Sequence, residues 1–229
     1  RENPVQVQVG EGEHVMVGVA APGNYSGLLT HVSCNNIKII GKGKSKTTIL
    51  GGFYVDSKQN VKIEQLAVTN RDGFGLFVSG LFCKGTTVDV TECCFKRCRL
   101  SGMNMRADVT VTATRSDFLE NDHYGVECRH ANNTKVRLID STIHHNGMDG
   151  LFAMSDAVVD LHGTKTDIHS NKNNGIRASC GAKVNIHLPS QHNTTHDNVQ
   201  NRCQELGGSI SNINADGTFT HVEEFFDDY

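Results

Sequence analysis

VTATRSDFLENDHYGV (residues 111–126), VRLIDSTIHHNGMDGL (136–151) and LHGTKTDIHSNKNNGI (161–176) decide the fold, because their residue types recur at fixed places. In each window the first, eighth and last residues are apolar, the eleventh is asparagine and the fifteenth is glycine. Working outward, Gly75-Leu76, Gly102-Met103, Gly125-Val126, Gly150-Leu151 and Gly175-Ile176 are separated by 27, 23, 25 and 25 residues. The same steps separate Val61, Val88, Val111, Val136 and Leu161, and again Val68, Phe95, Phe118, Ile143 and Ile168. Alternation of strand type at this period, with no helical i, i+3, i+4 pattern, predicts an all-β solenoid. Its coils hold three short strands and about 25 residues and stack about 4.8 Å apart.

The predicted strands of one coil are Val61-Lys62-Ile63, Leu66-Ala67-Val68 and Leu76-Phe77-Val78. Alternation assigns their faces. It turns Leu66, Cys93, Ser116, Ser141 and Thr166 inward, where hydroxyls must bond to backbone or to one another. The chain reads as a single domain over 1–229: irregular first coils in 1–60, regular coils in 61–188, and a cap with an acidic tail in 189–229. Because the Val61-type and Gly75-type positions are always 14 apart, length variation is expected only after the third strand. The longest connection there, Ser79 to Thr87, carries Leu81, Phe82 and Cys83. After Pro189 the register is expected to fail, and Glu223 to Asp228 would guard the end against edge pairing.

Composition excludes several classes. Net charge is −3, and Lys and Arg form no basic stripe, so nucleic acid is not an expected partner. No apolar run reaches the roughly 18 residues that span a bilayer, so no membrane is expected either. The chain begins at Arg1, which predicts a fragment or processed form. Eight irregularly spaced cysteines suit reduced thiols better than a disulfide scaffold, with Cys93 and Cys128 facing inward. On that usage the expected location is cytoplasmic, with secretion the alternative. The sequons at Asn24, Asn132 and Asn193 are no more than chance supplies.

Asn121, Asn146 and Asn171 each precede a repeat glycine by four residues, and Asn198 continues the series after a two-residue slip. Amides so placed can hydrogen-bond from coil to coil and are expected to be structural. Together with the three-strand coil they resemble the asparagine ladder and right-handed parallel β-helix of the pectate-lyase-like superfamily. The resemblance covers nearly the whole chain. Pro22-Gly23-Asn24-Tyr25 and Ile37 to Gly43 are also similar to that superfamily's first coils.

The outward residues of the third strand form two columns, Phe77, Asn104, Glu127, Phe152, Arg177 and Ser79, Arg106, Arg129, Met154, Ser179. Phe77, Arg106, Glu127, Arg129, Phe152, Met154 and Arg177 are the candidate binding residues, with exposed phenylalanines at the energetic centre and arginines giving orientation. Within this face, Tyr124-Gly125-Val126-Glu127-Cys128-Arg129 is similar to the Tyr-Gly-Phe-Asp-Pro-His motif of mannuronan C5-epimerases. Tyr124 and Gly125 correspond, Glu127 replaces the acid, and Cys128 and Arg129 stand where proline and histidine belong. The resemblance implies Tyr124, Glu127 and Arg129 as the catalytic alternative, with the arginine neutralising a uronate or lowering the tyrosine's pKa. No aspartate cluster for hydrolysis or calcium accompanies them. The chain has no Trp and four Tyr, a poor supply of sugar-stacking platforms.

Twelve histidines raise the question of metal. His144, His169 and His196 follow the position of Ile143 and Ile168, and His162 and His187 are expected to stack on the first strand's outer face, but no acidic or thiolate partner is seen to recur with them. They read as surface histidines in turns, and neither they nor Cys93, Cys94 and Cys98 are expected to hold an ion or cofactor. The repeats are also similar in texture to the β-helix modules of intracellular F-box and spindle-associated adaptors and of periplasmic copper-maturation proteins. That resemblance implies a non-catalytic module binding a protein or polysaccharide. The alternative is a polysaccharide lyase or C5-epimerase acting on a uronate polymer.

Overall fold

The computed structural model describes residues 4–16, 19–20, 28–80, 85–129, 133–187 and 194–221. Pro22 to Tyr25, Leu81 to Cys83, the sequons at Asn132 and Asn193, and the tail from Glu223 to Asp228 lie outside them. Each coil lays one strand in each of three sheets, as Val61–Glu64, Ala67–Thr69 and Leu76–Ser79 do in turn. Among the described residues the first, second and third sheets hold 10, 8 and 9 strands, and no helix occurs. Pairing is parallel except at the two ends, where Val19–Ala20 meets Leu28–His31 and Phe219–His221 meets Ser209–Ile213 in antiparallel fashion. Reversed terminal strands of this kind close a stack whose every edge could otherwise recruit another strand.

Val111, Phe118 and Val126 lie in register with Val136, Ile143 and Leu151 of the next coil, and all six are buried in one continuous core. The regular stack is longer than 61–188. Ile37, Ile49 and Phe53 pair with Val61, Val68 and Leu76, and beyond Pro189 Thr195, Arg202 and Ile210 pair with Ile168, Ile176 and Val184. These outer coils differ in length, not in register.

One column needs correction. Val136 pairs with Val159, and Leu161 with Leu138. The step of 25 between Val136 and Leu161 conceals two changes that cancel: a first corner widened at Gly163 to Lys165, and a shorter connection after the third strand. Gly163 turns at φ +87°, and the Lys165 N–H donates to Asp140 Oδ1 at 3.1 Å. Length therefore varies at the first corner as well as after the third strand.

The corner between the second and third sheets explains the asparagines and glycines together. Arg97, Glu120, His145, Ser170 and Asp197 bend the chain there at φ 53–56°, the left-handed region that costs a non-glycine residue about 1 kcal/mol or more. The bend turns the next N–H inward. Asn121 N–H donates to Asn146 Oδ1 at 3.1 Å, Asn146 N–H to Asn171 Oδ1 at 3.1 Å, and Asn171 N–H to Asn198 Oδ1 at 2.9 Å. The side-chain Nδ2 groups donate along the same series, each at 2.9 Å. Cys98 occupies the equivalent place one coil earlier, and its N–H donates to Asn121 Oδ1 at 3.0 Å. A Cβ on Gly102, Gly125, Gly150 or Gly175 would lie 2.6–2.8 Å from the Nδ2 of Asn121, Asn146, Asn171 or Asn198. The glycine period is thus the steric complement of the asparagine period.

At the first corner Ser116 and Ser141 are buried, and their hydroxyls accept the N–H groups of Cys93 and Ser116, each at 3.2 Å. The seven described cysteines are free. Burial pushes the thiols of Cys93 and Cys98 up to about 12 and that of Cys94 up to about 11, and it raises Cys128 further. These are inert packing groups.

Candidate functional site

The outward face of the third sheet carries the column His31, Tyr54, Phe77, Asn104, Glu127, Phe152, Arg177 in continuous register. A further column runs beside it, just before the glycines: Phe74, Ser101, Tyr124, Asp149 and Asn174. Alternation does not reveal this column, because the chain is still leaving the corner there. It supplies polar groups that the sequence reading lacks.

Tyr124, Glu127 and Arg129 come together. Arg129 Nε forms an ion pair with Glu127 Oε1, and Arg129 Nη2 donates to the Tyr124 hydroxyl at 3.2 Å. Ser101 Oγ donates to Glu127 Oε2 at 2.5 Å. Glu127 is only 4% exposed. Burial pushes the Tyr124 phenol above its ordinary value, and Arg129, which pulls the other way, does not prevail. One coil on, Asp149 is buried and accepts from the Nδ2 groups of Asn173 and Asn174, each at 2.7 Å, with Arg177 Nη1 at 3.8 Å. Burial raises its carboxyl above the usual range, against the pull of these donors.

Phe77 and Phe152 do point away from the solenoid core, but each is only 6% exposed. The expectation of exposed phenylalanines is corrected by what lies over and beside them. The guanidinium carbon of Arg106 sits 5.4 Å from the Phe77 ring centre. Arg129 lies 5.6 Å from both Tyr124 and Phe152, and Arg177 lies 5.0 Å from Phe152. Tyr124 and Phe152 stack at 5.2 Å, and Phe77 packs with Tyr54 and Phe74 in a small second core. Guanidinium groups over rings contribute about 0.5–2 kcal/mol each and hold the arginines flat. Arg177 is tied further to Glu205 at 2.6 Å. The partly exposed layer consists of Arg106, Arg129, Met154 and Arg177. Beneath it Asn104 is fully buried, and neither of its amide atoms has a hydrogen-bond partner.

Two histidine series stand elsewhere: His162 and His187 lie on the outer face of the first sheet as expected, while His144, His169 and His196 lie on strands and not in turns. His144, His169 and His196 stack on the second sheet with ring centres 4.9 and 5.0 Å apart. His162 and His187 stack on the first sheet at 3.9 Å, with Asp160 as an acidic neighbour that the sequence reading missed. A concavity of 510 Å³ lies on the second sheet near the first coils, lined by Glu13, Met16, Leu50, Asn70, Asp72 and Lys96 among others.

A right-handed β-helix region is recognised over residues 36–194, and the chain belongs to that family. No curated protein matches it. Among solved structures, the A-module of the Azotobacter vinelandii mannuronan C-5 epimerase AlgE6 is similar at 13% identity and a TM-score of 0.33, covering 93% of this chain and 91% of that one. The AlgE4 A-module of the same organism is similar at 12% and 0.31, covering 90% and 88%. At such values neither likeness bears on this chain's activity.

Proposed function

We propose that the chain is a non-catalytic binding module that engages its partner through the outer face of the third sheet. The observation that carries this reading is the row of guanidinium groups of Arg106, Arg129 and Arg177 held over Phe77, Tyr124 and Phe152 at 5.0–5.6 Å. Arginines immobilised in this way lose little entropy on contact, and they present planar donors that suit carboxylates and backbone carbonyls. The rings lie beneath them and offer no flat platform to a sugar. A protein partner is therefore favoured over a polysaccharide.

The stacked amides of Asn121, Asn146, Asn171 and Asn198 act, in this reading, as an internal ladder that sets coil register and takes no part in binding. The test is an Arg129→Ala, Arg177→Ala double variant, whose side chains are 40% and 30% exposed. It should melt lower than the parent, because Glu127 and Asp149 lose their cations, yet remain folded at room temperature, and it should lose a partner isolated with the parent chain. Undiminished binding by the folded variant would remove the face from consideration.

The meeting of Tyr124, Glu127 and Arg129 favours a second reading, lyase or C5-epimerase chemistry on a uronate polymer. The raised phenol weighs against it, because burial disfavours the phenolate that a base would need.

A further inference from the structure

We propose that Asp160, His162 and His187 form a binding site for a borderline divalent cation of the Zn²⁺ class on the outer face of the first sheet. Among the described residues these three side chains bring one donor atom each to within 4.8 Å of the others. The stack of His162 on His187 follows from parallel register, and the two rings are nearly coplanar in direction at 16°. Asp160, two residues before His162 on the strand Val158–His162, faces the same way.

The donors lie close together, and zinc would turn the parallel rings and replace the hydrogen bond between His187 and Asp160. His187 Nε2 lies 3.2 Å from Asp160 Oδ1, and Asn185 Nδ2 donates to that oxygen at 2.9 Å, which orients the carboxylate from outside the cluster. His162 Nε2 is buried and has no hydrogen-bond partner. Ile139 pairs with His162 and Ile213 with His187, placing an aliphatic side chain at each end of the stack. Such brackets limit competing water. Tetrahedral zinc with Zn–N bonds of about 2.0–2.1 Å needs donors roughly 3.3 Å apart, so the cluster closes by at most about 1.5 Å, within reach of small side-chain rotations. Three protein donors leave a fourth position for water or a partner's ligand.

Two imidazoles and one carboxylate suit zinc and its neighbours and not calcium or magnesium, which take oxygen. Arg137, in register with Asp160, lowers affinity by like charge without supplying a donor. The second-sheet histidines are different: His144 Nδ1 meets His145 Nδ1 at 2.8 Å, and His169 Nδ1 meets Ser170 Oγ at 3.0 Å, so these nitrogens are turned to neighbours in their own coil.

The experiment is equilibrium dialysis and calorimetric titration of the whole chain with Zn²⁺ at neutral pH, repeated with His162→Ala, His187→Ala, Asp160→Asn and His169→Ala. The expected result is one equivalent bound in the presence of excess Ca²⁺. Affinity should weaken by more than about 100-fold in each of the first three variants, beyond the roughly 10–100-fold that second-layer substitutions cost, and stay unchanged in His169→Ala. Far-UV circular dichroism shows that each variant is folded, and Asp160→Asn, nearly isosteric, serves if an alanine variant is not. Absence of binding, retention of zinc by folded His162→Ala or Asp160→Asn, or its loss in His169→Ala would overturn the site.

Discussion

Replacing Asn146 with alanine should destabilise the fold by about 2–4 kcal/mol. Asn146 is fully buried. Its Nδ2 donates to Phe118 O at 3.1 Å and Asn171 Oδ1 at 2.9 Å, and its Oδ1 accepts from Asn121 N–H at 3.1 Å and Asn121 Nδ2 at 2.9 Å. The substitution removes all four bonds, but their partners do not suffer equally. Asn171 Oδ1 keeps the Asn146 N–H, and Asn121 Nδ2 keeps Phe95 O. The buried Asn121 N–H loses its acceptor outright, which alone costs about 1–3 kcal/mol, and the other losses add about 0.5–1 kcal/mol each, reduced by relaxation. Asn198, less buried and at the end of the series, should cost about half as much. Urea denaturation of both variants checks this, provided the slope of the transition is unchanged. Equal effects below about 1 kcal/mol would refute the assignment of these amides to the corner.

Other consequences follow from the same geometry. Gly125→Ala should cost about 1–3 kcal/mol in the same assay, because its Cβ would meet Ile143 Cγ2 and Asn146 Nδ2. Phe152→Ala should destabilise by about 2–4 kcal/mol even though the ring lies outside the main core, since it is stacked and covered; Arg129→Ala should cost about 1–3 kcal/mol, because it leaves the buried Glu127 carboxylate without its ion pair. Burial, and then neighbouring histidines, hold His144 and His162 below 6.5, and burial holds His169 there too, so below that pH the unfolded chain takes up more protons than the folded one. Stability should therefore fall as pH drops from about 6.5 toward 5. His196, raised mainly by its hydrogen bond to Asp197, contributes in the opposite sense. A His144→Gln, His169→Gln variant should show a flatter dependence of melting temperature on pH.

The middle of the solenoid was legible because Phe118, Ile143 and Ile168 follow one another without interruption, and each is a core residue. Coils beyond 188 were not, because Thr195 and Arg202 occupy places that hold Ile168 and Ile176 one coil earlier, so pairing persists where the apolar signal stops. The slip at Val159 was hidden by two length changes of opposite sign. At the site, register brought Glu127, Phe152 and Arg177 into one line as alternation predicts, but burial of the phenylalanines depends on where three arginines fold, which a one-dimensional pattern does not carry. Ser101 and Asp149 were missed because they precede the strand. Asp160 was missed because its contact with His187 lies in the next coil, at a sequence separation of 27 residues.

The claim that this face binds and does not catalyse is tested most directly by incubating the chain with alginate, pectate and glycosaminoglycans, following unsaturated products by absorbance and C5 inversion by proton NMR. The account predicts no turnover on any of them, with the Tyr124 phenol still protonated near neutral pH. Turnover by the parent chain that disappears in folded Tyr124→Phe and Glu127→Gln variants would contradict it.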